Sequence, residues 1–186
     1  MTCQRRIRPP LAVLALLLVS AGCGGGAPAE EHHHHVGAPA SASVSGPSEA
    51  SRMVCGGFVL RQLAGALGSE PVTTPAGSWD GRVYRCPYVY GEGELVLTVR
   101  ESGADAGADF EGLRASGGVV RELTGLGEAA FVRADGSTVV RKDGMVLVVD
   151  VSGLPDPFGF PARGRADLSV MAATTVMTCW KEHVVK

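Results

Sequence analysis

The feature that most restricts this chain is a stretch at residues 24–51 that is rich in Gly, Ala, Pro, Ser, Glu and His. Its only large apolar side chains are Val36 and Val44. Such a segment cannot bury enough apolar surface to offset the entropy lost on ordering, so we expect a flexible tether. We expect residues 52–186 to form the folded part of the chain, and this length is enough for one domain with its own core.

The first 22 residues have the pattern of a secretory signal peptide. Arg5, Arg6 and Arg8 precede an apolar run of nine residues, 11–19, and small residues follow. At about 1.5 Å per helical residue, this run is too short to cross a hydrocarbon core of ~30 Å. The pattern therefore predicts export rather than a transmembrane helix.

Cys23 follows Ser20-Ala21-Gly22, and these four residues resemble a bacterial lipobox, in which the cysteine is acylated and the signal is cut before it. The alternative is an ordinary signal peptide or an incidental cysteine. Two or three acyl chains on one residue anchor a protein stably. We therefore expect residues 23–51 to tether the domain to the extracytoplasmic face of the cell membrane.

Charge limits the partners that this chain can bind. After residue 22, 14 Lys and Arg stand against 19 Asp and Glu, a net charge of −5. A nucleic-acid-binding protein needs a basic surface, and adhesion to anionic lipid needs a polybasic patch. The composition favours neither kind of binding. We therefore expect the chain to associate with the membrane through the lipid anchor alone.

Four consecutive histidines, His32, His33, His34 and His35, lie inside the predicted tether. Imidazoles on a flexible segment chelate Zn, Ni or Cu loosely. A defined structural metal site needs ligands held in fixed geometry, which a tether does not provide. We interpret the histidines as a low-complexity tract that arose by drift, with a metal-scavenging tether as the alternative. No cofactor is predicted for the domain.

Hydrophobic periodicity predicts an α+β domain. Helices are expected over residues 55–67, 106–116 and 164–182, and strands over 82–90, 94–101, 130–133, 137–142 and 145–151. Two Asp-Gly pairs, at 135–136 and 143–144, are tight-hairpin signals. The predicted order α-β-β-α-β-β-β-α indicates an antiparallel sheet of about five strands with helices packed on one face.

The domain contains three cysteines, Cys55, Cys86 and Cys179. Thiols outside the cytoplasm tend to pair. We favour a Cys55–Cys86 bridge, which would join the first helix to the first strand and close a loop of about 30 residues. Cys179 lies on the apolar stripe of the last helix and is expected to be buried, and its bridge to Cys55 is the alternative.

These features together resemble the DUF3558 family of actinobacterial lipoproteins of unknown function. The resemblance rests on the lipobox, the tether, a cysteine followed by a helix ending in Ala66-Leu67-Gly68, and Cys86-Pro87-Tyr88 about 30 residues later. Gly125–Ala130 and the hairpin at 139–147 complete it. The resemblance implies an α+β domain and carries over no catalytic residue.

Aromatic residues are the candidate binding surface. Tyr84, Tyr88 and Tyr90 share one strand face, and Trp79 precedes them. Rings offer contact area at low entropic cost, so this row indicates a binding platform, and the alternative is that the rings cover the core. Phe158 and Phe160 in a proline-rich loop are a second candidate contact, unless they lie under the last helix.

No catalytic residue is predicted. The sequence has no Gly-x-Ser-x-Gly, His-Glu-x-x-His, phosphate loop or Cys-x-x-Cys, and the domain has a single histidine, His183. Asp150 in an apolar strand is interpreted as a solvent-edge acid, with a buried acid as the alternative. The glycines at 125–127 are interpreted as a tight turn, with ligand contact as the alternative.

The sequence thus predicts a lipid-anchored surface protein whose domain binds an envelope protein or small ligand without catalysis. An accessory subunit of an envelope enzyme is a further alternative.

Overall fold

Seven strands form one antiparallel sheet, and helices lie on both of its faces. The structure is a computed structural model that describes residues 46–183. The helices are α1 (Glu49–Met53), α2 (Gly57–Leu67), α3 (Ala106–Gly117, preceded by a 3-10 turn at Gly103–Asp105) and α4 (Arg165–His183). The strands are β1 (Ser78–Trp79), β2 (Val83–Tyr90), β3 (Gly93–Glu101), β4 (Val119–Leu123), β5 (Ala129–Arg133), β6 (Thr138–Lys142) and β7 (Met145–Asp150).

The strand order is β1-β2-β3-β7-β6-β5-β4. Because every neighbouring pair is antiparallel, β3 and β4 run in the same direction although three strands separate them. A connection between two parallel strands must cross over a face of the sheet. α3 makes that crossing and contacts β5, β6 and β7 on the way.

Side chains alternate between two hydrophobic cores, one on each face of the sheet. The larger core lies between the sheet and α2 with α4, and Leu97, Leu147 and Val176 are fully or almost fully buried in it. The smaller core lies beneath α3, where Phe110 packs on Phe131 with ring centroids 5.0 Å apart. Neighbouring residues of one strand therefore serve different helices, as the period of two requires.

Local sequence signals explain where elements begin and end. The Ser48 hydroxyl accepts a hydrogen bond from the Ser51 backbone N–H at 3.1 Å and so caps α1. Gly68 ends α2 with φ of +62°, a left-handed conformation that glycine adopts without steric cost. Asp143 and Gly144 have φ of +51° and +72° between β6 and β7, and the predicted hairpin is confirmed.

The α+β class is confirmed, but three details of the predicted architecture are wrong: the number of strands, the faces that the helices cover and the order of the elements. The sheet has seven strands rather than about five, because β1 has only two residues and β4 is an exposed edge strand without alternating burial. The helices pack on both faces rather than on one, because α3 must cross the sheet. The order is α-α-β-β-β-α-β-β-β-β-α.

The structure also places a helix inside the last predicted tether residues. α1 begins at Glu49, and its Ser51 is fully buried. The chain is therefore ordered before residue 52, where the domain was expected to begin. The predicted signal peptide and the tether up to residue 45 lie outside the described residues.

Candidate functional site

The aromatic row predicted as a binding surface is mostly part of the larger core. Tyr88 is fully buried and Tyr90 is 4% exposed. The Tyr88 hydroxyl donates a hydrogen bond to the Val54 carbonyl oxygen at 2.5 Å. These two rings cannot meet a partner, because β2 turns this face toward α2; Tyr84 and Trp79 remain half-buried at the edge of the sheet.

Burial also changes the acidity of these tyrosines. Desolvation raises the pKa of Tyr90 to about 12. Desolvation raises the pKa of Tyr88 as well, with a smaller effect from the neighbouring Tyr90 and Tyr84. Both phenols therefore stay neutral at physiological pH, as core residues do.

The two phenylalanines of the proline-rich loop have different environments. Phe158 is buried, and its ring meets Tyr90 edge to face at a centroid distance of 5.2 Å. Phe160 is 83% exposed, while its backbone N–H donates to the Leu67 carbonyl oxygen at 2.6 Å. The loop is thus fixed to the end of α2, and it presents one large apolar ring to solvent.

A partly apolar hollow opens beside α2, with a volume of about 310 Å³. Its apolar side is formed by Leu60 and Ala64 of the helix and Pro71 and Val72 of the following loop, and the rest is lined by Arg61, Glu70, Thr73 and Thr74. Val72 is 64% exposed. Isolated exposed apolar residues are common on protein surfaces, whereas a hollow that combines apolar side chains with polar groups is a more specific indication of binding.

The hollow belongs to a longer surface, which we call the α2 strip. A second depression shares Arg61, Ala64 and Glu70 with the hollow. A third depression, of about 300 Å³, shares Gly68 and Ser69 with the second and includes Phe160. The strip therefore runs from the hollow at Val72, along α2, to the exposed ring of Phe160.

Two opposite charges lie in the middle of the α2 strip. Arg61 and Glu70 are both exposed, and both line the first and second depressions. Neither makes an ion pair with any residue in the range 46–183. The strip thus combines a partly apolar hollow, an exposed apolar ring and two charges that are available to a partner.

The glycine-rich turn at 125–127 has a structural explanation. A Cβ on Gly127 would lie 2.6 Å from Val140 Cγ1 and 2.7 Å from the Arg141 carbonyl oxygen, and its φ is +66°. Only glycine fits such a position. The turn borders a depression of about 250 Å³ together with Lys142 and Thr174.

Asp150 is half-buried at the end of β7 on the face that it shares with Val146 and Val148, as the alternation predicted. It accepts hydrogen bonds from the Ser152 backbone N–H at 2.9 Å and from the Ser137 hydroxyl at 3.4 Å. These contacts fix the turn after β7, which is a structural role.

The predicted disulfide is confirmed. Cys55 and Cys86 are bonded, with Cα atoms 5.6 Å apart. The alternative bridge between Cys55 and Cys179 is therefore not formed. Cys179 is buried on α4, as predicted, with its Sγ 3.3 Å from the Thr175 carbonyl oxygen.

Sequence reasoning missed the residues of the α2 strip other than Phe160. Arg61, Glu70 and Val72 form no motif, and they meet only because the loop after α2 folds back beside the helix. It also missed the stacking of Arg114 over Phe110 and Phe131, with its Cζ 5.4 Å and 5.3 Å from the ring centroids. The i, i+4 spacing of Phe110 and Arg114 was the available signal.

Several predicted features lie outside the described residues, namely Cys23 and the four histidines at 32–35. Within residues 46–183, no group of three or more His, Cys, Asp and Glu side chains is placed to hold a metal ion. No helix in this range has both the length and the apolar character needed to cross a membrane.

Comparison of the chain with protein-family models, curated proteins and solved structures gave no match. The candidate site therefore rests on the geometry of the α2 strip alone.

Proposed function

We propose that this chain is a lipid-anchored protein of the cell envelope, held by Cys23, whose domain binds a partner through the α2 strip without catalysing a reaction. The observation that carries the extracytoplasmic part is the Cys55–Cys86 disulfide. Such bonds persist in oxidising compartments and are rare in the reducing cytosol. The bond supports the export pattern of residues 1–22.

The α2 strip supports a binding role for the domain. An 83% exposed phenylalanine and a partly apolar hollow lie on one continuous surface of the same molecule. Large apolar side chains left in solvent beside such a hollow are typical of protein contact surfaces. The proposed relation to the DUF3558 lipoproteins rests on the sequence features alone.

The anchor is tested by replacing the cysteine that would carry it. We expect Cys23→Ala to abolish acylation and release the chain from the membrane fraction. Without a thiol at residue 23 the protein carries no acyl chains, and stable anchoring needs two of them. Intact mass spectrometry of the membrane-bound protein measures the acyl mass. Cys3→Ala is the matched control, since residue 3 lies in the segment that would be removed.

Two outcomes would contradict the anchor. One is a wild-type mass without acyl chains, and the other is a Cys23→Ala chain that stays in the membrane fraction at the wild-type level.

Binding is tested by placing a photo-crosslinking amino acid at Thr73, which is exposed and lines the hollow. We expect an adduct in intact cells from this position and none from Ser116, which is also exposed but lies on α3. Equal labelling from both positions, or none from either, would contradict a binding role for the α2 strip.

A further inference from the structure

We propose that the partner of the α2 strip is a second copy of this chain, bound about a two-fold axis. This inference rests on the proposed function, because it names the occupant of the same surface. In the dimer, Phe160 of each copy packs against the apolar side of the other copy's hollow. Arg61 of each copy meets Glu70 of its partner.

The first argument is shape. The α2 strip has a projecting ring at one end and a hollow at the other, and the second depression lies between them. When such a strip is laid antiparallel on itself, each ring faces the opposite hollow. A two-fold interface uses the same patch on both subunits, so a ring and a hollow on one surface satisfy both copies at once.

The hollow offers Phe160 an apolar side of sufficient size. Leu60, Ala64, Pro71 and Val72 form that side, Arg61, Glu70, Thr73 and Thr74 line the rest, and the volume is about 310 Å³. Buried aromatic side chains that fill pockets supply much of the energy of protein interfaces. Phe160 is 83% exposed in one copy, so burying it in the hollow removes apolar surface from water.

The second argument is charge. Arg61 and Glu70 lie in the middle of the α2 strip and make no ion pair with each other or with other residues in the range 46–183. A two-fold axis through the second depression brings the arginine of one copy to the glutamate of the other, twice. If residues 61 and 70 carried charges of the same sign, this rotation would place like charges together and disfavour the dimer.

The interface is small, so the dimer should be weak in solution. A strip along one 11-residue helix and one loop falls at the low end of the size range of specific interfaces. Chains held on one membrane meet at a higher effective concentration than chains in solution. The test should therefore use the full chain in its own membrane.

The experiment compares two engineered cysteines in the full chain. Gly65 lies in the middle of the α2 strip and Gly112 lies on α3, on the other face of the sheet. Both are exposed helix glycines whose added Cβ meets no atom within 4 Å, so Gly65→Cys and Gly112→Cys are sterically matched. After mild oxidation of membranes, we expect a disulfide-linked dimer from Gly65→Cys at a yield at least tenfold above that from Gly112→Cys.

Two further variants in the Gly65→Cys chain test the arrangement. Phe160→Ser should lower the dimer yield about tenfold, and the fold should survive because only the exposed ring is lost. Arg61→Glu should also lower it, by placing two glutamates together. Arg61→Glu combined with Glu70→Arg should restore the yield, which a merely structural effect would not do.

Three outcomes would overturn the inference. They are equal dimer yields from the two cysteines, no effect of Phe160→Ser, and no rescue by the charge exchange. Linkage of Gly65→Cys to a different protein would also overturn it while leaving the proposed binding function standing. If neither Gly65→Cys nor the crosslinker at Thr73 gives any adduct, both the dimer and the proposed binding function are contradicted.

Discussion

At the scale of single residues, Glu101 joins the first helix to the sheet. Its Oε1 accepts a hydrogen bond from the Ser48 backbone N–H at 2.7 Å and another from the Ser51 hydroxyl at 2.5 Å. Desolvation alone would raise the pKa of Glu101, but the hydrogen bonds from Ser51 and Ser48, with Arg52 nearby, hold it below its ordinary value. The carboxylate thus completes the cap at the start of α1.

Glu101→Gln should lower the free energy of unfolding by about 1 kcal/mol at pH 7, because it removes the charge from both hydrogen bonds. A lowered folded-state pKa gives stability that is present above the unfolded-state pKa and lost as pH falls through the folded-state value. The difference between wild type and variant should therefore shrink in acid. Urea unfolding at pH 7 and in acid measures it.

Glu92→Gln is the control for this prediction, since Glu92 is exposed and no hydrogen bond is found for it within residues 46–183. A difference between wild type and Glu101→Gln that stays constant with pH would argue against the carboxylate as its source.

At the scale of elements, the sequence predicted those with a strong local pattern. The helix predicted at 106–116 is found at Ala106–Gly117, and the strand predicted at 82–90 is found at Val83–Tyr90. β4 was missed because an edge strand has no periodic burial, and its Val119 and Val120 are exposed. Which face a helix covers depends on strand order, and local periodicity carries no information about that order.

The candidate site was harder to predict for the same reason. Alternation placed Tyr84, Tyr88 and Tyr90 on one face of β2 correctly, but it could not say which face the helices cover. Tyr88 and Tyr90 are buried by elements distant in the sequence, which include α2 and Phe158 of the proline-rich loop. The charges of the α2 strip come from two elements that have no shared sequence signal.

The largest buried side chain of α3 gives a test of how this helix is held on the sheet. Phe110 is fully buried between α3 and the sheet, against Phe131 and beneath the guanidinium of Arg114. Phe110→Ala should lower the free energy of unfolding by about 3–5 kcal/mol, as is typical for a buried aromatic ring. Hydrogen exchange should show α3 opening first.

Phe58→Ala is the matched control, because Phe58 is 38% exposed in the first turn of α2. Its effect should stay within about 0.5 kcal/mol. Equal losses for the two variants would show that the smaller core contributes no more than the surface does.

At the scale of the whole molecule, the disulfide connects the start of the domain to the sheet. Cys55 follows α1 directly, and Cys86 lies fully buried in β2. The bond spans 31 positions of the sequence. A bond that closes a loop of this length lowers the conformational entropy of the unfolded chain. The folded chain loses little, because the Cα atoms of Cys55 and Cys86 already lie close together in it.

Replacing both partners, Cys55→Ala with Cys86→Ala, should lower the free energy of unfolding by about 3–4 kcal/mol. Thermal and urea unfolding of the oxidised wild type and the double variant measure this loss. The wild type with its disulfide reduced should match the variant. A reduced wild type as stable as the oxidised protein would contradict the prediction.

The position of this bond also determines how the domain would respond to a mechanical pull. If the chain is anchored at Cys23, as we propose, tension from the membrane would reach the described part of the chain at its first residues and then α1. Of the described residues, 46–54 precede the bond, and this segment could peel away by roughly 30 Å at full extension. Beyond Cys55 the tension passes covalently to Cys86, in a strand hydrogen-bonded to both β1 and β3. Under such a pull α1 would unfold first, and any further lengthening would require the strands of the sheet to separate.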